Sequence, residues 1–186
     1  APPRAPTTFL EVLQQVWWRL DVALDLDLLA WSARLGPLEA LEGGTTASKV
    51  NIDYKTEKVE WVWDAAIGKY RRWMDFEEHL DANTGEQVTA ANVIFLTPYH
   101  VNDATICAQI NNGVCAALSI EIQLWGSGPA IVFRDGQQYN VTWHREGRND
   151  QLTFTDADGN PFPLQIGNTW VQLVPGYLPD PLAVTP

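Results

Sequence analysis

The chain lacks any apolar stretch long enough to cross a bilayer, which takes about 20 residues in succession. Its longest charge-free run, Ala104 to Ile120, is interrupted by Gln109, Asn111, Asn112 and Gly113. Basic residues are scarce too: 12 Lys and Arg stand against 23 Asp and Glu, a net charge of -11. Such a surface repels phosphate backbones and anionic lipid, so a nucleic-acid partner is not expected. The three histidines, His79, His100 and His144, form no His-x-x-x-His pair and the two cysteines no Cys-x-x-Cys. The spacing of a metal site is therefore missing, and neither a metal nor another cofactor is expected. No Gly-x-Ser-x-Gly elbow occurs; Gly126-Ser127-Gly128 has the wrong spacing and no helix pattern after it.

Apolar material is plentiful. With 46% hydrophobic residues and nine tryptophans in 186 residues, the composition is that of a folded protein. Phe9, Leu13, Val16, Trp17 and Leu20 recur at helical spacing behind Thr7 and Thr8, which predicts one helix over about 8–20. The glycine and proline content of 35–44 reads as a connector, so the chain divides into 1–44, a β-rich domain over 45–175, and a proline-rich tail, 176–186, expected as a strap or a loose end.

Between connector and tail, short apolar runs alternate with Gly, Asn and Asp clusters of hairpin length. Strands are predicted at 47–54, 58–64, 69–74, 92–101, 104–110, 114–124, 130–134, 138–145, 151–155 and 169–174. The fold class is thus mainly β, or α+β by virtue of the amino-terminal helix, as an antiparallel meander or barrel-like sheet. In the 58–64 strand, Val59, Trp61 and Trp63 share a face; that stripe reads first as core and second as a stacking platform. The basic cluster Lys69, Arg71 and Arg72 is answered by Asp75, Glu77 and Glu78. It reads as a solvated hairpin edge in preference to an anion site.

Cys107 and Cys115 flank Asn111-Asn112-Gly113, a strong hairpin signal. A two-residue Asn112-Gly113 turn puts Cys107 opposite Leu118, with the thiols on opposite faces and no disulfide; a five-residue loop over 109–113 sets them face to face. The residues leave both open. Asp156-Ala157-Asp158-Gly159-Asn160 begins like a calcium loop but carries Pro161 and Gly167 where that loop needs its glycine and its closing glutamate, so it is expected to be a turn.

Several segments read together resemble a known family. These are Asn51-Ile52-Asp53-Tyr54, Trp61-Val62-Trp63-Asp64, Gly68-Lys69-Tyr70-Arg71-Arg72, His79-Leu80-Asp81, Thr84-Gly85-Glu86 and Ala91-Asn92-Val93. They continue through Phe133-Arg134-Asp135-Gly136, Thr142-Trp143-x-Arg145, Phe154-x-Asp156 and Gly167-x-Thr169-Trp170-Val171. Their order resembles the carboxy-terminal domain of the YerB-type family of bacterial lipoproteins, over about 46–175. The resemblance implies an extracytoplasmic protein, membrane-anchored in full length, from a family of unknown function, and supplies no catalytic residues. It also implies that 1–44 is the last helix and connector of a preceding domain.

Two functions are set against each other. One is a binding or scaffold domain whose partner is an envelope protein or polymer, met by Tyr70, Arg71, Arg134, Asp135, His144 and Arg145 near hairpin ends, or by a free sheet edge. In its structural counterpart, Arg134 and Arg145 simply pair with nearby carboxylates. The other function is a hydrolase of an envelope polymer, with aromatic subsites and carboxylates such as Asp64 and Asp81 as acid and base.

Overall fold

The computed structural model describes residues 41–147 and 149–186; the helix expected over 8–20 lies outside them. Within them the chain is built of fourteen strands, with no helix. They are β1 (Thr45–Thr46), β2 (Lys49–Asp53), β3 (Lys58–Asp64), β4 (Lys69–Met74), β5 (Glu77–Glu78), β6 (Thr89–Ala90), β7 (Asn92–Leu96), β8 (Tyr99–Asn111), β9 (Val114–Gln123), β10 (Gly126–Arg134), β11 (Gln137–Arg145), β12 (Thr153–Thr155), β13 (Thr169–Leu173) and β14 (Leu182–Thr185).

These strands do not close into a barrel. They form two six-stranded sheets and a separate two-stranded ribbon. The first sheet runs β1-β11-β10-β7-β13 with β12 also on β11, and the second β14-β2-β3-β4-β5 with β6 also on β4. The meander expectation holds for the hairpins and fails at one seam, where β13 pairs with β7 in parallel, Trp170 beside Val93. That pairing joins strands more than 70 residues apart, beyond the reach of any hairpin signal. The tail is a strap: β14 pairs antiparallel with β2, Val184 opposite Val50.

Alternation explains the layers. Val50 and Ile52 of β2, Val59 and Trp61 of β3, Tyr70 of β4, Val93 and Phe95 of β7 and Phe133 of β10 form one buried cluster drawn from both sheets. Successive side chains in a strand point to opposite faces, so each strand gives every second residue to this layer. β7 is buried at all five positions, as suits a central strand covered on both faces.

The β10–β11 hairpin locks one sheet onto the other. Asp135 and Gly136, at φ 54° and 70°, make the two-residue turn, both left-handed as such turns require. A Cβ on Gly136 would sit 2.9 Å from Trp63 Cδ1, and Ala47 N–H donates to the Gly136 carbonyl at 2.8 Å. Gly136→Ala therefore combines backbone strain with overpacking, and we expect it to cost about 1–3 kcal/mol in chemical denaturation. Gly113→Ala, at φ 77° with open space around it, should incur the strain alone and cost less.

Candidate functional site

The six residues first suspected do not converge. Tyr70 and Arg71 belong to β4 in the second sheet, and Arg134, Asp135, His144 and Arg145 to the β10–β11 hairpin in the first. Along that hairpin Arg134 lies opposite Gln137 and Arg145 opposite Gly126. The two arginines thus stand at opposite ends, about 25 Å apart at ~3.3 Å per residue.

Each of the six has local work. Tyr70 is fully buried and donates its hydroxyl to the Ala47 carbonyl at 3.0 Å; burial raises its pKa. Arg71 donates from Nε to Asp64 at 2.7 Å, which holds that carboxyl below its ordinary range. Arg134, 1% exposed, donates from Nε to Asp135 at 2.8 Å and from Nη1 to the Pro163 carbonyl at 2.6 Å. His144 Nε2 meets Thr155 Oγ1 at 2.9 Å. Arg145 donates to the carbonyls of Asp150 and Leu124.

The carboxylates proposed as acid and base are likewise engaged. Asp64 is held by Arg71. Asp81 accepts from the backbone N–H groups of Thr84 and Asn83, which lower its pKa. Both stay ionised at neutral pH, the wrong state for a general acid. Trp61 is buried in the core, and Trp63 packs half-buried against it. Among the described residues no three His, Cys, Asp or Glu side chains gather as metal ligands. Asp156 accepts from the N–H groups of Asp158 and Asn160, a turn closed on itself.

What the structure does bring together was passed over. Arg72, expected on a solvated edge, is 6% exposed. Tyr70 and Arg72 share a face of β4, and Tyr70 is core, so Arg72 must point inward as well. There its guanidinium lies 4.8 Å from the Trp170 ring and 5.8 Å from that of Trp61, its partner across the β3–β4 pair. Nη1 reaches His79 Nδ1 and the Met74 sulfur at 3.9 Å. Nε is buried with no hydrogen-bond partner, and among the described residues no carboxylate lies within ion-pair distance. Arg72 lines a cleft of about 350 Å³ between the sheets, together with Tyr54, Glu57, Gln172, Tyr177 and Leu178.

An arginine cannot accept a hydrogen bond, so the neutral His79 tautomer with its proton on Nε2 is the one that suits this contact. Burial and then the Arg72 charge lower the His79 pKa, against a smaller opposing pull from Asp81. A depressed histidine contributes its full stability above the ordinary 6.5 and loses it as pH falls through the lowered folded value. Wild type should therefore lose stability as the pH falls below about 6.5, and His79→Asn, which cannot titrate, should flatten that slope in denaturation curves.

The second feature is the ribbon. Among the described residues β8 and β9 pair only with each other, and they meet at Asn112-Gly113, both left-handed at φ 51° and 77°. This is the two-residue turn, with Cys107 opposite Leu118, yet Cys107 and Cys115 are bonded, Cα atoms 5.8 Å apart. The geometric exclusion fails because the ladder is irregular: register shifts occur on both sides of Cys107 and again between Gln109 and Ile110. Bulges turn side chains from one face to the other. Leu118, Ile120 and Ile122 alternate along β9, and all three are exposed, as are Ile106, Ile110 and Val114.

A family profile described as "Protein of unknown function (DUF3048) C-terminal domain" matches residues 50–171. The chain belongs to this family. The resemblance read from the sequence is thereby established, and the matched span contains both Arg72 and the ribbon. The fold is also that of YerB from Bacillus subtilis, whose crystal structure superposes with a TM-score of 0.61 at 22% identity, covering 87% of this chain and 54% of YerB. The chain thus spans about half the length of that protein. No curated protein sequence matches. No helix among the described residues is long and apolar enough to cross a membrane.

Proposed function

We propose that this chain is an extracytoplasmic binding domain of the bacterial cell envelope, membrane-anchored in full length, with the β8–β9 ribbon as its docking element for a protein partner. The observation that carries this reading is the Cys107–Cys115 bond in an exposed ribbon. Disulfides persist in oxidising compartments and are rare in the cytosol. An exposed apolar row marks an interaction surface. A protein is favoured over a charged envelope polymer because Ala104 to Ile120 carries no charge, whereas such a polymer would be met by charges.

The compartment is tested by trapping thiols in intact cells with a membrane-permeant alkylating agent. Cys107 and Cys115 are expected to resist labelling until reduced; free thiols overturn the assignment. Docking is tested with a photo-crosslinking residue at Ile110, in cells, with and without Val114→Asp and Leu118→Asp. A single adduct with one distinct envelope protein, lost in the aspartate variants, supports the reading. Adducts with a second copy of the chain or with lipid, or none, overturn it.

Reduction separates the ribbon from the body. A sequence separation of 8 gives a small loop, for which closure entropy corresponds to about 2–3 kcal/mol. Amide exchange in β8 and β9 should accelerate on reduction, while the global unfolding midpoint moves little, because neither strand pairs with either sheet.

A further inference from the structure

We propose that Arg72 anchors a binding site for a small organic carboxylate, in the cleft between the two sheets, independently of the ribbon. Burying a cation is costly unless its charge and its donors are met. At Arg72 the charge is met in part by the neighbouring indoles of Trp61 and Trp170, 5.8 and 4.8 Å from the guanidinium. The edges are a different matter. Nη1 is turned to His79 and Met74, while among the described residues Nε is buried without a partner and Nη2 forms no hydrogen bond. Nε and Nη2 together are the side-on fork that matches the two oxygens of a carboxylate. A buried polar group without a partner calls for an explanation in a native fold, and a ligand oxygen supplies one.

The surroundings select the class. Gln172, 5% exposed, is held by two bonds: its Oε1 accepts from Trp170 Nε1 and its Nε2 donates to the Tyr54 hydroxyl at 3.2 Å. One amide hydrogen remains beside the cleft. Among the described residues Arg72 is the sole cation lining it, and Glu57 lies on its wall. One positive charge beside one negative suits a singly charged carboxylate and disfavours phosphate, which brings about -1.5 to -2. Val59, Pro175, Tyr177 and Leu178 offer apolar and aromatic surface to the body of the ligand. Packing beside the two indoles restricts the guanidinium, so less rotamer freedom is left to lose on binding.

The test is a titration of the intact chain with benzoate, followed by the Arg72 Nε–H resonance in nitrogen–proton NMR spectra. The expected result is a saturable shift in the millimolar range or below, with backbone changes confined to residues 54–57, 72 and 172–178. Arg72→Lys keeps the charge and loses the fork, and should weaken binding about tenfold or more. Should that variant unfold, Gln172→Leu and Glu57→Gln serve instead, the first weakening benzoate and the second strengthening it. No saturable shift, or equal binding by Arg72→Lys or Gln172→Leu, overturns the site. Inorganic phosphate binding more tightly than benzoate overturns the carboxylate class. Ribbon variants at Val114 and Leu118 should leave the titration unchanged, so this proposal and the docking reading fail separately.

Discussion

Asp135→Asn should destabilise the chain by about 3–5 kcal/mol, the scale for depriving a buried charge of its partner. Arg134 is enclosed to 1% exposure, and among the described residues its one carboxylate is that of the adjacent Asp135. Asparagine preserves the turn, because it adopts a left-handed backbone as readily as aspartate and position 135 sits at φ 54°. What changes is the charge, together with the bond that Asp135 Oδ1 accepts from Gln165 Nε2 at 2.8 Å. Arg134→Met removes the buried charge and its bond to the Pro163 carbonyl, and should cost less than Asp135→Asn. The double variant should cost less than the sum of the two, since the orphaned charge no longer exists. Urea denaturation of the four proteins closes the cycle. A strictly additive result would mean that Arg134 and Asp135 do not act as a pair.

This pair also shows where sequence reasoning reached and where it stopped. The Asp135-Gly136 turn was legible because it is local chemistry: two positive φ angles and two residue types that tolerate them. That Arg134 is buried was not, because the loop that encloses it comes from Pro163, 29 residues on. The strands at 58–64 and 69–74 are found where alternation placed them. The strand expected over 92–101 is divided at Thr97-Pro98, where proline has no N–H to give to a ladder. The segments 104–110 and 92–101 instead contribute to one long β8, whose bulges have no signature in residue type. Arg72 was within reach. Trp61 was placed inward, and the Ala65–Gly68 turn sets Trp61 opposite Arg72, so the same parity that buries the indole buries the arginine. The charges around it, Asp75, Glu77 and Glu78, suggested a wet edge, but two of them belong to β5 and none reaches the guanidinium. Trp170, the second indole beside Arg72, comes from the parallel β13 and could not have been placed by hairpin logic.

Trp61→Ala should be comparably severe, at about 3–5 kcal/mol, the range for removing a fully buried large aromatic. Trp61 is 0% exposed, stands between Val50 and Arg72 in the ladder, and packs on Trp170 with ring centroids 5.6 Å apart. Alanine leaves a cavity and strips one of the two rings from the Arg72 guanidinium, so the loss includes part of a cation's shielding as well as apolar contact. Trp61→Phe tests the division between these terms. It retains a ring facing Arg72 and deletes an indole N–H that is buried without a partner, a group whose removal can offset part of the lost area. The phenylalanine variant should therefore cost less than half as much as the alanine. If Arg72→Met is then added to each, the alanine background should lose less to it than wild type does, because the cation is already half unshielded there. A cost below about 1 kcal/mol for Trp61→Ala would place the indole outside the core, and its shielding of Arg72 would fall with it.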